Sequence, residues 1–397
     1  DQYYTSGGIL QKSFIKVDMW RSQGHEVSFV IVYNDDQEKK IIQSFGKCVL
    51  IKRSGQKFLG EFRISRFFGK FPQHEKLLLK EIEKFHPDIL YHRSFEISRF
   101  TNLITQKFRT VLEINGNQFG NLQSLSGNTF SKLLNEIRAA HLKLALKKFM
   151  QYHKGIVAVT HELLELYKSK SFLNDLKEKS IVIPNAISIN SEGPRKVNSS
   201  KNKIQLVFLG SPNMKWHGID LIIEIAKQTH YIFDFHIIGE QFPNHQILPA
   251  NVHAHGYLSN EDYRKILVQS DIGIGTLSLA EAGIKEASPL KVREYADAGL
   301  PVIIGYKDTA FINHGVPEWA LVLPSEKDKI LSSVPAIIEY CRKMKNYIVS
   351  PEAVNKYFSI EAAERARLDF FGSLIQPPDK TNVEVATKSK VTGVAGI

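Results

Sequence analysis

The sequence predicts an α/β protein with two doubly wound, Rossmann-like domains, and three observations support this fold class. Its 397 residues suffice for about two domains of ordinary size. Short apolar strands alternate with helical patterns, as in parallel sheets covered by helices. The segment 188–203 is rich in Ser, Asn, Lys, Gly and Pro, which is a linker composition. It separates an N-terminal domain over 1–187 from a C-terminal domain over 204–349.

Composition indicates a protein of a reducing compartment without membrane-spanning segments. Hydrophobic residues make up 43% of the chain, enough for sizeable cores. The two cysteines, Cys48 and Cys341, cannot form a disulfide framework, and their spacing suggests no metal site. No apolar run approaches the ~18 residues that a transmembrane helix needs, and no signal peptide is visible. We therefore expect a cytoplasmic protein.

The positive charge is concentrated in the N-terminal half. The net charge is +11, and residues 1–190 hold 29 basic against 18 acidic residues, so this half carries the whole surplus. It is expected to face an anionic partner, and charge alone fits nucleic acid, an acidic membrane surface or a phosphate-bearing acceptor. Within this half, Lys57–Phe71 interleaves phenylalanines with basic residues. That pattern suits either a membrane interface or a loop whose rings enter the core.

In the N-terminal domain, the glycine pair Gly7 and Gly8 leads into a helical pattern. A doubly wound domain should have a strand before this pair, so we expect that native residues precede the sequence given. His92, Arg93 and Ser94 follow a predicted strand at its carboxyl end, where ligands bind in parallel sheets, and the next strand, 111–114, ends at Asn115. The segment 376–397 is polar and has no aromatic residue, so it is predicted to be disordered.

The C-terminal domain opens with a layout typical of phosphate binding. Strand 204–209 ends at Gly210, and a loop that contains Lys215 and His217 leads into a helix at Gly218. Lys215, with His217 in support, could neutralise a bound diphosphate.

The segment 286–301 is the most informative stretch. Ser288 is a good N-cap and Pro289 suits the first helical position, while Gly299 and Pro301 end the helix. An ordinary capped surface helix is one interpretation. The free N–H groups and the helix dipole at its start also form a binding site for an anion such as a phosphate.

Side chains near this helix start would complete a nucleotide site. The segment Ala287–Leu290 would supply the N–H groups, and Lys291 would add a full positive charge. Glu294 only accepts hydrogen bonds, which suits the vicinal hydroxyls of a ribose. An anion and a diol together describe a nucleotide.

Glu286-x7-Glu294 followed by Gly-Leu-Pro-Val at 299–302 resembles the signature of family 4 retaining glycosyltransferases. That family has the GT-B fold, in which two Rossmann-like domains face a central cleft. The resemblance covers about residues 7–375. It implies an N-terminal domain that binds the acceptor and is completed by helices at about 350–375. It implies a C-terminal domain that binds a nucleotide-sugar donor.

The resemblance also assigns roles to single residues. Glu286 would bind hydroxyls of the transferred sugar, and Asn115 stands where the family often has a histidine. Ser211 and His217 replace the family's arginine and lysine, so Lys215 is expected to act on the leaving diphosphate. The predicted catalytic residues are therefore Glu286, Lys215 and Asn115. The predicted donor-binding residues are Gly7, Gly8, Gly210, His217, Gly239, Tyr257, Ala287, Ser288, Pro289, Leu290, Lys291 and Glu294.

No Asp-x-Asp pair, the usual metal ligand of the alternative GT-A fold, occurs in the sequence. We therefore expect no metal, and no cofactor besides the donor substrate. Fixed cations and helix amides would stabilise the leaving group instead. Three or four charge-assisted hydrogen bonds of about 1.5–3 kcal/mol each would supply a useful share of the ~8–23 kcal/mol that enzymes provide.

The predicted function is retaining transfer of a hexose-type sugar from a UDP- or GDP-sugar to a glycan or lipid-linked acceptor in cell-surface polysaccharide biosynthesis. Such an enzyme would be peripheral on the inner face of the cell membrane and would have no nucleic-acid partner. Two alternatives stay open: a GT-B sugar-nucleotide epimerase and a catalytically silent nucleotide-sugar-binding protein. A dinucleotide oxidoreductase is disfavoured because no strand is followed by Gly-x-Gly-x-x-Gly.

Overall fold

The structure is a computed structural model of the chain. It describes residues 7–53, 72–93, 99–116, 149–171, 179–189, 202–212, 214–243, 245, 247–375 and 390–396. The chain divides into two compact units, residues 1–183 with 364–397 and residues 184–363. Each unit contains a parallel sheet accompanied by helices.

The strands and helices alternate along much of the chain. The strands are β1 (Glu26–Tyr33), β2 (Val49–Lys52), β3 (Ile89–His92), β4 (Thr110–Ile114), β5 (Gly155–Ala158), β6 (Ser180–Val182), β7 (Ile204–Leu209), β8 (Phe233–Ile238), β9 (Val252–Gly256), β10 (Ile272–Ile274), β11 (Glu286–Ala287), β12 (Val302–Ile304), β13 (Lys307–Asp308), β14 (Ala320–Val322) and β15 (Lys390–Gly396). The helices are α1 (Gly7–Ser22), α2 (Asp36–Phe45), α3 (Gln73–Phe85), α4 (Arg99–Lys107), α5 (His161–Ser171), α6 (Ile219–Gln228), α7 (Asn260–Leu267), α8 (Leu290–Asp297), α9 (Lys327–Ser332), α10 (Val334–Met344), α11 (Pro351–Phe358) and α12 (Ile360–Ile375). Among the described residues, no helix combines the length and the hydrophobicity needed to cross a bilayer.

The first unit is built on a seven-stranded sheet with the order β2-β1-β15-β3-β4-β5-β6. Strand β15 lies between β1 and β3, where Val391 pairs with Val27 on one side and with Ile89 on the other. The sequence predicted disorder from residue 376 onward, and this prediction is wrong for Lys390–Gly396. The composition of the tail is polar, but a short Val-Thr-Gly-Val run can join a sheet when strands on both sides satisfy its backbone.

A buried charge cluster lies within the first unit. Glu113 of β4 is surrounded by Lys16 and Lys12 of α1, at 2.8 and 3.6 Å, by Arg93 after β3, and by Arg367 of α12. Burial alone would raise the pKa of Glu113, but these four cations outweigh burial and hold that pKa well below its usual value. Breaking a buried ion pair leaves a charge uncompensated. The cluster therefore ties α1 and α12 to the sheet.

The second unit contains a six-stranded sheet with the order β14-β12-β10-β7-β8-β9 and a separate pair of β11 and β13. All of these strand pairs are parallel. The strand order reverses between β7 and β10, because β8 and β9 follow on one side and β12 and β14 on the other. Ligands of doubly wound sheets bind outside the carboxyl ends of the strands at such a switch point. The segments that follow β7 and β10 are therefore the place to look for a site.

Helix α11 belongs to the second unit. Val354 and Phe358 are buried in the same cluster as Phe311 and Trp319, and the rings of Phe358 and Trp319 lie 6.0 Å apart. The Ile187 N–H also donates to the Phe358 carbonyl at 3.0 Å. The expectation that the helices at 350–375 all complete the first unit is thus wrong for α11. Its apolar face packs in the core of the second unit.

Candidate functional site

Helix α8 is anchored at the switch point of the second sheet. The buried Tyr295 hydroxyl accepts a hydrogen bond from the Leu209 N–H, at the end of β7, at 2.6 Å. The same hydroxyl donates to the Ile274 carbonyl, at the end of β10, at 3.0 Å. A hydroxyl can accept and donate at once, so one side chain connects the helix to both strands. This bridge fixes α8 relative to the carboxyl ends of β7 and β10.

The start of α8 differs from the sequence prediction. The helix begins at Leu290, Pro289 is its N-cap, and no side chain in the described residues caps it. The prediction that Ser288 is the N-cap is wrong, because its hydroxyl accepts from the Asn185 N–H at 2.7 Å and from Arg293 Nη2 at 2.9 Å. The first N–H groups of an α-helix have no acceptor within the helix. The start of α8 is therefore suited to bind an anion.

Arg293 holds the segment that leads into α8. Its guanidinium is fully buried and bonds to both carboxylate oxygens of Asp308, with Nη2 at 2.7 Å from Oδ1. Its Nε donates to the Asn185 carbonyl at 2.9 Å, and the group lies 4.5 Å over the Phe358 ring. Bidentate arginine–carboxylate pairs fix geometry as well as energy. Arg293 lies inside the motif, but no local pattern predicts its contacts with Asn185 and Asp308.

The side-chain amine of Lys291 is buried. Its Nζ has no hydrogen-bond partner in the part of the chain that the structure describes, and it lies 4.2 Å from the centroid of the Phe208 ring. Burial lowers the pKa of Lys291 to about 7, and the nearby Glu294 opposes this shift only in part. An unpaired buried ammonium is unfavourable, and an anion at the start of α8 would remove that penalty.

His217 lies in the same buried region and is neutral. Its ring packs edge-on against Phe208, with centroids 5.3 Å apart. Burial, and then the nearby Lys291, lower the pKa of His217 to about 3. At neutral pH it can therefore support Lys215 with a hydrogen bond but not with a positive charge. Lys215, two residues earlier, is exposed.

The loop between β7 and α6 is fixed to the segment after β10. The Leu277 N–H donates to the His217 carbonyl, and the Ser278 N–H donates to the Trp216 carbonyl, both at 3.2 Å. Gly218, which precedes α6, has a φ of +75°, and a Cβ there would lie 2.9 Å from the Ser278 hydroxyl oxygen. Both the backbone conformation and the space require glycine. His217 is thereby held close to the start of α6.

Glu294, the second carboxylate of the motif, has a partner that the sequence did not reveal. Its Oε2 accepts a hydrogen bond from the Tyr263 hydroxyl of α7 at 3.1 Å. Burial raises the pKa of Glu294, while Tyr263 and Lys291 act in the opposite direction. Tyr263 leaves the other carboxylate oxygen for a ligand. No local pattern could have identified Tyr263, which precedes Glu294 by 31 residues.

The remaining candidate residues of the second unit lie in β11 or directly after other strands. Glu286 is 8% exposed and lies in β11, where its backbone is paired with that of Lys307 in β13. Gly239, after β8, has a φ of +86°, and a Cβ there would overlap the Gly210 carbonyl oxygen, so the two loops touch through their backbones. Tyr257, after β9, is 76% exposed and free of burial constraints.

The other three candidates lie in the first unit. Gly7 and Gly8 are the first residues of α1. Asn115 directly follows β4, two residues after the buried Glu113. The structure thus groups most of the predicted donor site within the second unit. The membrane candidate Lys57–Phe71 lies outside the described residues.

Within the described ranges, no group of three or more His, Cys, Asp or Glu side chains could hold a metal ion. The positive potential at the start of α8 comes from the helix dipole and from Lys291 when it is protonated.

Comparison with known proteins identifies the fold. No protein-family profile matches the sequence, and no curated protein matches it. HepE of Anabaena, solved in complex with UDP-glucose, matches with a TM-score of 0.62 at 12% identity, over 92% of this chain and 94% of its own. A glycosyltransferase from Rickettsia africae ESF-5 matches with a TM-score of 0.63 at 15% identity, over 94% and 96% of the two chains.

A third solved structure, the sucrose-phosphate synthase of Thermosynechococcus elongatus, matches with a TM-score of 0.56 at 11% identity, over 88% of this chain and 99% of its own. Identities this low establish the fold and no more. Together with the two parallel α/β units, these matches show that the chain has the GT-B fold of glycosyltransferases.

Proposed function

We propose that this protein is a glycosyltransferase that takes its sugar from a nucleotide diphosphate sugar. The observation that carries the proposal is the start of α8, where the described residues provide neither a side-chain cap for the helix nor a hydrogen-bond partner for the buried amine of Lys291. A site of this kind at the switch point of a parallel sheet suits a diphosphate. The GT-B fold supports the same conclusion, since HepE, which shares it, was solved with UDP-glucose.

Each part of the donor has a proposed partner in the second unit. The diphosphate binds the amides at the start of α8 and the Lys291 amine. The ribose hydroxyls donate to Glu294, whose orientation is set by Tyr263. Glu286 accepts from hydroxyls of the transferred sugar, and Tyr257 is a candidate contact for the base.

The chemical step requires stabilisation of a departing diphosphate. Lys291, the helix amides and, from the exposed side, Lys215 would aim positive charge at it, and His217 would add a neutral hydrogen bond. A few charge-assisted hydrogen bonds of about 1.5–3 kcal/mol each could lower the barrier substantially. We propose that the reaction retains the anomeric configuration and needs no metal. In a front-face attack the acceptor oxygen forms the new glycosidic bond, the old bond breaks, and the leaving phosphate takes the acceptor's proton.

The acceptor side of the proposal rests on the first unit. We propose that this unit binds a glycan or lipid-linked acceptor of cell-surface polysaccharide biosynthesis, with Asn115 as a hydrogen-bonding side chain. The surplus of positive charge in residues 1–190 supports an acidic partner, either a phosphate-bearing acceptor or the inner face of a membrane. A hexose-type sugar and a UDP or GDP carrier complete the proposal.

A thermal-shift screen with UDP-, GDP- and ADP-glucose tests donor binding. We expect one of the three to raise the melting temperature, because a ligand that binds only the folded state stabilises it. The shift should be smaller in Lys291→Met and unchanged in Lys227→Met, which changes an exposed lysine of α6. No stabilisation by any of the three would contradict the proposal.

The chemistry is tested separately with the donor that binds. NMR of the early product should show the same anomer as the donor, and an excess of EDTA should leave turnover unchanged. An inverted anomer would contradict the retaining mechanism. Loss of turnover that a divalent metal restores would contradict metal independence. Release of the nucleotide with a changed free sugar, in the absence of any acceptor, would instead indicate an epimerase.

A further inference from the structure

The groups around the amine of Lys291 stabilise an ammonium only in part. The face of the Phe208 ring lies 4.2 Å away, and His217 packs against the same ring. Glu294, on the same helix, is engaged by the Tyr263 hydroxyl at 3.1 Å. Nζ itself has no hydrogen-bond partner within the described residues.

The other charged side chains near Lys291 interact with one another. Glu294 faces Asp297 and Arg264 as well as Lys291, and Arg264 forms an ion pair with Asp297 at 3.5 Å. The attraction of Glu294 for Lys291 is therefore offset by burial of both groups. Among the described residues of the free protein, no counter-ion is strong enough to keep the amine charged.

We propose that Lys291 is charged by its ligand: the diphosphate of a nucleotide sugar, on binding at the start of α8, draws one proton from solvent onto Nζ. This inference rests on the proposed function and deepens it. The lone pair of the neutral amine takes the proton, and the resulting ammonium donates a hydrogen bond to a phosphate oxygen. No covalent bond changes in this step. The proton returns to solvent when the nucleotide leaves.

Burial keeps the amine of Lys291 neutral in the free protein, so that it can take up a proton when the ligand binds. Burial lowers the pKa of Lys291 to about 7, so the amine is mostly neutral at about pH 8. An anion in contact favours the ammonium and raises the pKa again. His217 does not compete for the proton, because burial and the nearby Lys291 hold its pKa at about 3. Binding should therefore be accompanied by proton uptake, and affinity should fall as the pH rises above about 7.

Isothermal titration calorimetry in buffers of different ionisation enthalpy measures the number of protons taken up. The titrant is the nucleotide sugar, among UDP-, GDP- and ADP-glucose, that stabilises the protein most. Both phosphates of these molecules are esterified, so the diphosphate does not titrate in the range used. We expect uptake of close to one proton at about pH 8 and much less at about pH 6. We also expect Kd to rise roughly tenfold between about pH 8 and pH 9.

Three variants separate the lysine from other groups. Lys291→Met should bind the ligand more weakly, with no uptake at pH 8 and a Kd that is flat with pH. Lys291→Arg keeps a permanent charge, since guanidinium does not titrate here. It should bind without uptake. Lys227→Met, which changes an exposed lysine, should keep the uptake of the native protein.

Each outcome bears on one claim. Binding without proton uptake, together with a pH-independent Kd, overturns the inference and leaves the proposed function standing. Uptake that persists in Lys291→Met also overturns it, because the proton then belongs to another group, such as Glu294. If none of the three nucleotide sugars binds, the proposed function fails and the inference fails with it.

Discussion

At the scale of single residues, a buried amine such as that of Lys291 reduces the stability of the free protein in a way that depends on pH. Its pKa of about 7 in the folded protein lies below the value of about 10.4 expected in the unfolded chain. Between these values the unfolded state binds more protons. Stability is therefore highest above about pH 10 and falls as the pH drops toward 7. Sites that need a reactive group often tolerate such a loss.

Replacing this lysine with an uncharged side chain of similar length should stabilise the protein. We expect Lys291→Met to raise the free energy of unfolding by roughly 2–4 kcal/mol at pH 7 and by much less at pH 10. Urea unfolding at the two pH values measures the difference, and Lys227→Met should change it by no more than about 0.5 kcal/mol. A less stable Lys291→Met protein at pH 7 would show that the amine has a partner elsewhere in the chain.

The carboxylate of Glu294 is expected to decide whether a nucleotide binds. Glu294→Ala should abolish measurable donor binding, because two ribose hydroxyls would lose their acceptor. Tyr263→Phe should weaken binding by a smaller factor, since it removes only the hydrogen bond that orients the carboxylate. Calorimetry with the nucleotide sugar gives both affinities, and Glu224→Ala on the outer side of α6 is the control. An unchanged affinity in Glu294→Ala would refute the ribose role.

Local sequence patterns predicted the position of the residues around α8 better than their contacts. They placed Lys291 and Glu294 in a helix that starts near residue 289, and the structure has both in α8. They gave Ser288 a capping role that it does not have, because its hydroxyl accepts a hydrogen bond from the N–H of Asn185, which is 103 residues away. They also placed His217 in support of Lys215, and only the packing against Phe208 reveals that its ring is buried and neutral.

At the scale of elements, the Tyr295 hydroxyl connects α8 to the ends of two strands. Tyr295→Phe would leave the Leu209 N–H and the Ile274 carbonyl without their buried partner. We expect a loss of about 1–3 kcal/mol in the free energy of unfolding and a weaker nucleotide affinity. Urea unfolding and calorimetry measure the two effects, with Tyr231→Phe, a 64% exposed tyrosine, as the control. Equal losses in both variants would mean that the bridge contributes nothing specific.

The regular βα alternation made most elements of the second unit predictable. Strand 204–209 and its glycine-rich continuation have the pattern of a buried strand and its loop, and β7 occupies the same residues. The place of β15 could not be predicted from its composition, because its partners β1 and β3 are more than 300 residues away in the sequence. The assignment of α11 failed for a similar reason, since its apolar residues fit either unit until Phe311 and Trp319 are seen beside them.

At the scale of the whole molecule, the burial of neutral His217 should appear in acid stability. Its pKa of about 3 lies below the value of about 6.5 in the unfolded chain, so the unfolded state binds more protons between pH 6.5 and pH 3. The contribution of His217 to the free energy of unfolding is fully present above pH 6.5 and should be about 2 kcal/mol lower at pH 5. Urea unfolding of native protein and of His217→Gln at pH 7 and 5 tests this. The variant should lose less stability on acidification, and equal losses would exclude the assignment.

Charge distribution is the other property that belongs to the whole chain. Since residues 1–190 carry the entire surplus of positive charge, long-range attraction to an anionic surface should act through this half. The segment Lys57–Phe71 adds aromatic rings, which favour the headgroup region of a bilayer. Its role rests on sequence alone. A membrane partner would also bring a lipid-linked acceptor to the first unit.

Liposome flotation separates this electrostatic attraction from other modes of binding. We expect recovery with vesicles that contain anionic lipid, little recovery with neutral vesicles, and a decrease with added salt, because screening weakens the attraction. Arg63→Glu with Arg66→Glu should reduce recovery several-fold. The matched double change Lys227→Glu with Lys265→Glu alters the net charge equally in the second unit and should have little effect. Equal recovery on anionic and neutral vesicles at low salt would leave the phosphate-bearing acceptor as the partner that explains the positive charge.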